Sequence, residues 1–304
     1  MKSILVHEVG LRDGLQMERQ TVPLERKLAW LRTLMDAGVD VIQVGSFVHP
    51  TKVPQMADTD QLFRELSQPG VRRPGPLLSG LVLNEKGLDR GLVCGVEMFC
   101  MGVSASETHS QKNTGMSIAE ATDRIIAIGV RARESGKRVQ VSVQSAFGCG
   151  YEGEVPPERV LGLVRRFVEA GLTNISLADT AGHATPDQVK VLYTELFRIG
   201  DGIECACHFH NTYGLAMANA YAAVQAGVTS VETSIAGLGG CPFTKIAGGN
   251  LCTEDFVHYL HQTGQREDIH MKPLIDLAAD VAAFLGREMS GMVYRAGPIP
   301  ETGA

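Results

Sequence analysis

The 304-residue chain has no run of Lys and Arg dense enough to form a nucleic-acid footprint, and its formal charge is −6. Binding to DNA or RNA is therefore not expected. No apolar stretch approaches the roughly 18 residues that a membrane-spanning helix needs, so no membrane association is expected. The first residues, Met1-Lys2-Ser3-Ile4-Leu5-Val6, run straight into a strand-like pattern, without signal-peptide architecture or an Arg/Ser-rich presequence. Seven cysteines, an odd number in a long chain, do not make a disulfide framework. Cys94 and Cys100 sit inside apolar runs, and a reducing cytoplasm is the expected compartment. Disorder is excluded as the general state by 44% hydrophobic and 20% charged residues, which supply a large core.

Glycine, by contrast, is abundant: 34 residues, well above the usual level of about 7%. Many of these glycines belong to one recurring pattern. An amphipathic helical run ends in a small residue plus Gly, and a short apolar run follows. It occurs as Met35-Asp36-Ala37-Gly38 before Val39–Val44, as Val168-Glu169-Ala170-Gly171 before Thr173–Leu177, and as Val224-Gln225-Ala226-Gly227 before Val228–Glu232. The Gly reads as a helix C-cap.

Counting these units gives eight strands, at 3–11, 39–46, 77–83, 96–103, 138–146, 173–179, 203–210 and 228–235. Helices are expected between them, for example at 23–37, 117–136, 157–170, 186–199 and 214–226. Alternating strand and helix implies parallel strands with right-handed crossovers, and eight units point to an α/β fold of the (β/α)8 TIM-barrel type. A doubly wound open sheet is the competing architecture, but no G-x-G-x-x-G follows the first strand. The whole chain is expected to be one domain. The barrel would occupy about 3–262, and a helical C-terminal extension about 263–304.

Chemistry in such a barrel belongs at the C-terminal ends of the strands. The seventh strand ends Cys205-Ala206-Cys207-His208-Phe209-His210-Asn211. His208 and His210 are two apart and point the same way, while Cys205, Cys207 and Phe209 point the other way. The histidines suit a divalent cation or, alternatively, a hydrogen-bonded pair at the barrel mouth. The cysteines read as small apolar packing residues. The first strand ends in Arg12-Asp13-Gly14, either a solvated ion pair or a hard oxygen ligand beside an anion-holding guanidinium. After the last strand, Ala236–Phe243 and Gly248-Gly249-Asn250 place one thiol, Cys241, and one amide in a glycine-rich segment. That segment reads as a flexible loop or as a lid delivering a proton donor. Asp179, Gln43 and Glu107 stand at other strand ends, as loop caps or as parts of the mouth.

Taken together, these motifs resemble the 3-hydroxy-3-methylglutaryl-CoA lyase family of metal-dependent lyase and synthase barrels. The resemblance is carried by Glu8–Gln16, Ser46-Phe47-Val48, Val53–Asp58, Ala105–Thr108, Gly148–Gly153, Ile175–Thr180, His208–Gly214, the Gly237–Phe243 loop and Gly248–Leu251. It implies a TIM barrel with Mg²⁺ or Mn²⁺ held at Asp13, His208, His210 and Asn250. It also implies substrate contact by Arg12 and a catalytic thiol at Cys241. The implied reaction is retro-aldol cleavage of a 3-hydroxy-acyl-CoA thioester to acetyl-CoA and a keto acid. Asp13, Asp179 and His208 are the candidate bases, and Gln43, Ser46 and Ser176 join Arg12 as expected substrate contacts. Lys52, Lys112 and Asn84 are candidates near the coenzyme, and a homodimer is the expected assembly.

Two positions depart from the family pattern: Gln43 stands where Glu is usual, and Asn211 where Asp is usual. Both replacements remove negative charge near the implied metal, so the preferred substrate is expected to differ from 3-hydroxy-3-methylglutaryl-CoA, with citramalyl-CoA or another branched thioester as candidates. A condensing synthase of the isopropylmalate-synthase type and a catalytically weak barrel retained for binding are the competing readings. The former usually carries a regulatory extension for which 304 residues leave no room.

Overall fold

Eight strands close on themselves in sequence order: β1 (Leu5–Glu8), β2 (Val41–Ser46), β3 (Leu77–Leu81), β4 (Met98–Ser104), β5 (Arg138–Gln144), β6 (Asn174–Asp179), β7 (Glu204–Phe209) and β8 (Ser230–Thr233). Every pairing is parallel, including the closing pair β1–β8. This computed structural model describes residues 4–68, 75–240 and 248–299. The strands are covered on both sides, which is why they read as apolar runs rather than as alternating ones.

The crossover helices are α1 (Leu24–Ala37), α2 (Thr59–Leu66), α3 (Glu85–Val93), α4 (Glu107–Thr114), α5 (Ile118–Glu134), α6 (Pro157–Glu169), α7 (Pro186–Phe197) and α8 (Ala216–Gln225). The small-residue-plus-Gly signal acts as expected at α1, where Gly38 takes φ 88° and its N–H bonds to Met35 O. Helices α2, α3 and α4 add to the sequence reading; at 8 or 9 residues each they span too few turns for a clear period.

Two apolar layers result. The larger lies between barrel and helices, with Trp30, Phe63, Phe99, Phe167 and Phe209 fully buried in it. The smaller is a plug of Val41, Met98 and Cys100, with Leu77 and Leu81 packed against it. The barrel also encloses polar pairs, His7 Nε2 with Ser79 Oγ at 3.1 Å and Ser176 Oγ with Glu232 Oε1 at 2.8 Å.

One boundary is corrected. The first strand ends at Glu8, not at residue 11. Gly10–Gly14 forms a π-helical turn in which the N–H groups of Arg12, Asp13 and Gly14 all face Val9 O, at 3.1, 2.8 and 3.4 Å. Arg12 and Asp13 therefore sit on a tight turn over the barrel mouth, where π turns often serve function.

After β8 come α9 (Thr253–Gln262) and then, in the extension, α10 (Met271–Leu285) and α11 (Val293–Ala296), which packs on the barrel. Trp30 Nε1 donates to Asp280 Oδ2 at 2.6 Å, and His270 N to Ala37 O at 2.8 Å. At the opposite end from the mouth, Arg266 Nη1 reaches Ile4 O and Asp40 Oδ2, both at 2.5 Å. Among the described residues, no helix is long and apolar enough to cross a membrane. Because Arg266 is almost fully buried against Asp40, Arg266→Ala should lower unfolding free energy by about 2–3 kcal/mol, measured by urea denaturation. An unchanged midpoint would mean that the extension does not brace the barrel through this residue.

Candidate active site

Asp13 is where the mouth of the barrel converges. Its Oδ2 lies 3.5 Å from His210 Nε2 and 3.8 Å from His208 Nε2, while Oδ1 accepts from Arg12 Nη1 at 2.6 Å. Asn250 Nδ2 donates to the same Oδ2 at 2.9 Å. Three segments far apart in sequence thus meet around one carboxylate: the π turn, the end of β7 with His210 just after it, and Asn250, which forms a strand-like bridge with His210. Burial alone would raise the Asp13 carboxyl, but Arg12 and the two imidazoles outweigh it and hold it well below the usual carboxylate range.

His208 is fixed from behind. Glu232 Oε2 lies 2.9 Å from His208 Nδ1, and Ser176 Oγ donates to the other carboxylate oxygen. Burial would lower the His208 imidazole, yet Glu232 and Asp13 prevail and raise it. Burial likewise opposes ionisation of Glu232, but the bond to and charge of His208 bring its carboxyl down to about 2. With Nδ1 committed to Glu232, Nε2 is the nitrogen offered to Asp13, the arrangement usual for a metal-binding histidine.

Asp13, His208 and His210 can each offer one ligand atom, all within 4.8 Å of one another, so this cluster could hold a metal ion. Asn250 supports that reading. Among the described residues, its buried Oδ1 has no hydrogen-bond partner, nor has His210 Nδ1. A half-turn of the amide would exchange its oxygen with the nitrogen now facing Asp13. An unsatisfied amide oxygen beside a carboxylate and two imidazoles is a donor set that suits a divalent cation.

Above the cluster lies a cavity of about 540 Å³, lined by Arg12, Asp13, Gln43, Cys100, Gln140 and Ser142 among others. Arg12 Nε donates to Gln43 Oε1, so the guanidinium is held between a neutral amide and Asp13. Lys52 and Asn84 also line the cavity, whereas Lys112 lies 4.0 Å over the Tyr151 ring.

Several expectations are redirected. Asp179 does not line the cavity: its oxygens accept the N–H groups of His183 and Ala184 at 2.8 and 3.0 Å, capping the turn after β6. Burial nonetheless raises its carboxyl. Ser176 is committed to Glu232, and Ser46 Oγ faces Leu81 O at 3.5 Å; neither lines the cavity. Asn211 Oδ1 accepts from Ala216 N at 3.1 Å, so this side chain serves the start of α8 instead of the metal cluster. Glu107 likewise accepts from Ile118 N, at 3.2 Å. Cys241 lies outside the described residues. The other six cysteines are buried, and burial pushes the Cys205 thiol up to about 12 and raises that of Cys207 as well, as expected of packing residues.

Glu232 was not anticipated. Its signal is nonetheless present: an acidic residue inside an apolar strand, at the same alternation as Ser230, must face the barrel interior and needs a partner there. His7 follows the same logic on β1, and its burial, the largest influence, brings the imidazole down to about 4.

The HMGL-like family model matches residues 3–281. The 3-hydroxy-3-isohexenylglutaryl-CoA/hydroxy-methylglutaryl-CoA lyase of Pseudomonas aeruginosa is 35% identical over 295 residues, 97% of this chain and 97% of that protein. The mitochondrial hydroxymethylglutaryl-CoA lyase of Homo sapiens is 36% identical over 296 residues, 97% of this chain and 90% of that one. Among solved structures, an HMG-CoA lyase from Acinetobacter baumannii in complex with coenzyme A and 3-methylmalate superposes with a TM-score of 0.91. The two are 32% identical, over 99% of this chain and 97% of the other. On the extent of these matches and the convergence of Asp13, His208, His210 and Asn250, this chain belongs to the HMGL-like family.

Proposed function

We infer that this chain is a carbon–carbon lyase that cleaves a 3-hydroxy-acyl-CoA to acetyl-CoA and a keto acid. The observation that carries the reading is the gathering of Asp13, His208, His210 and the unsatisfied Asn250 beneath a cavity that also contains Arg12. Asp13, His208, His210 and Asn250 would hold a divalent cation, Mg²⁺ or Mn²⁺. When bound, such an ion orients the C3 hydroxyl and lowers its pKa.

The chain's own residues account for the rest. The C3 hydroxyl proton passes to Asp13 at the mouth, since His208, with Nδ1 on Glu232 and Nε2 given to the cation, keeps no nitrogen free to take it. The C2–C3 bond then breaks, C3 becomes the carbonyl of the keto acid, and the bonding pair stays on C2 as the thioester enolate. Arg12 stands beside Asp13, and its charge suits the enolate oxygen. A Cys241 thiol, carried on the glycine-rich segment after β8, would return a proton to C2 and complete acetyl-CoA. Asp179 acts on this chemistry only through the turn that it caps.

Gln43 bears on substrate choice. Because it is neutral, the Arg12 charge is shared with Asp13 alone among its hydrogen-bond partners. More of that charge is left for an anionic substrate group. The cavity lining joins the uncharged hydrogen-bonding residues Gln140, Ser142 and Gln144 to the apolar Leu81, Leu83 and Met101. A short branched thioester such as citramalyl-CoA, with a carboxylate for Arg12 and a hydroxyl for the nearby amides, suits the polar part of this lining.

Acetyl-CoA release from a panel of 3-hydroxy-acyl-CoA thioesters tests both parts. Cleavage is expected with at least one short branched member, and Cys241→Ala should lower kcat by about 10²–10⁴-fold. No release from any member would overturn the reaction. A large preference for the methylglutaryl compound would overturn the substrate reading alone. Separately, Glu232→Gln should weaken Mn²⁺ binding by about 10–100-fold in calorimetric titration, since His208 loses the anion that orients it. An unaltered affinity would remove His208 from the ligand set.

A further inference from the structure

Glu8 closes β1, is wholly buried, and does not line the cavity. Its Oε1 accepts two backbone N–H groups, Gly10 at 2.6 Å and Ile235 at 3.1 Å. Its Oε2 meets Thr253 Oγ1, which lies 2.8 Å from Thr233 Oγ1. One side chain therefore touches the start of the π turn, the exit of β8 and the first residue of α9. Those segments carry Arg12 and Asp13, lead into the segment bearing Cys241, and follow directly on Asn250.

The backbones it joins are in close contact. A Cβ on Gly10 would come within 2.5 Å of Glu8 Oε1, and one on Gly14 within 2.7 Å of Leu238 Cβ. A Cβ on Gly239 would fall 2.4 Å from Asn250 Nδ2. Any slip between the π turn and the β8 exit would open this contact and move Asp13 away from Asn250.

We propose that Glu8 is a positioning residue that locks the π turn and the β8 exit into one unit, fixing where Asp13 and Asn250 stand relative to each other. The inference rests on the reading of Asp13, His208, His210 and Asn250 as ligands. Burial pushes the Glu8 carboxyl up to about 7, against the lowering effect of its bonds with Thr253, Ile235 and Gly10. The charged and titratable groups on the surrounding elements are His7 on β1, Arg12 and Asp13 on the turn, Glu232 on β8, and Glu254 and Asp255 on α9. Among the described residues, none of them bonds to Glu8. As the neutral acid, Glu8 donates through Oε2 to Thr253 Oγ1, which can donate onward to Thr233, and every partner is satisfied. Opening the clasp returns the carboxyl to water, where it ionises near its ordinary value. Stabilisation by the neutral acid is thus complete at low pH and is lost as pH rises through about 7.

Amide hydrogen exchange of segments 9–14 and 234–240, corrected for the intrinsic rate, tests the clasp in the full chain. In the wild type, protection of both segments should fall together by about tenfold or more between pH 5 and 7. Glu8→Gln, which reproduces the donors and acceptors of the neutral acid, should remove that dependence from segment 9–14, reduce it in 234–240, where the buried Glu254 carboxyl, raised to about 8, also accepts Ala236 N–H, and keep Mn²⁺ affinity within about threefold. Glu8→Ala should speed exchange in both segments and weaken Mn²⁺ binding by about tenfold or more. If the Ala variant does not fold, the comparison of wild type with Glu8→Gln across pH decides. Equal pH dependence in those two, exchange rising in one segment only, or Gln as damaging as Ala would overturn the proposal. A wild type that binds no Mn²⁺ would end the ligand reading, while the exchange data would still judge the clasp.

Discussion

A carboxylate with a guanidinium on one oxygen and two imidazoles and an amide around the other is the constraint on which this barrel mouth depends. Asp13 would be expensive to bury alone. It is tolerable because Arg12, His208, His210 and Asn250 converge on it from three other directions. The convergence in turn demands a closed barrel. Only closure brings β1 next to β8 and lets the residues beyond β7 and β8 pair across the top.

The charge pattern continues into the barrel. Glu232 supports His208 from below, and Ser176 supports Glu232. Acid, imidazole and acid therefore alternate along a line from the interior to the cavity. The apolar plug of Val41, Met98 and Cys100 separates the larger core from none of this polarity; it fills the barrel so that the polar residues need not face a void. Polar side chains inside a barrel cost stability, and here they are spent on holding one histidine ring in one orientation.

Much of this was legible in the sequence, for identifiable reasons. The eight strands were readable because crossover units repeat, and each repeat carries its own glycine stop. His208 and His210 were readable as a pair because strand alternation is strict. The end of β1 was not, since Val9, Gly10 and Leu11 continue the apolar pattern while the backbone turns into a π helix. The hydrogen bonds that occupy Asp179 and Ser176 were not legible for a related reason. Position at a strand end fixes which level of the barrel a residue occupies, but not which hydrogen bonds claim it. Asn211, read as a lost charge near a metal, is taken up by the start of α8 in the same way. Glu232 was overlooked because a single acid in a short strand carries little periodic signal of its own.

The burial of six of the seven thiols has a practical consequence. An alkylating reagent applied to the intact fold meets sulfur atoms that are shielded and, at Cys205, Cys207 and Cys252, strongly disfavoured from forming the reactive thiolate. Mild labelling before unfolding is thereby turned away from the core, so a cysteine introduced on the surface could carry a fluorophore or spin label without removal of any of these six.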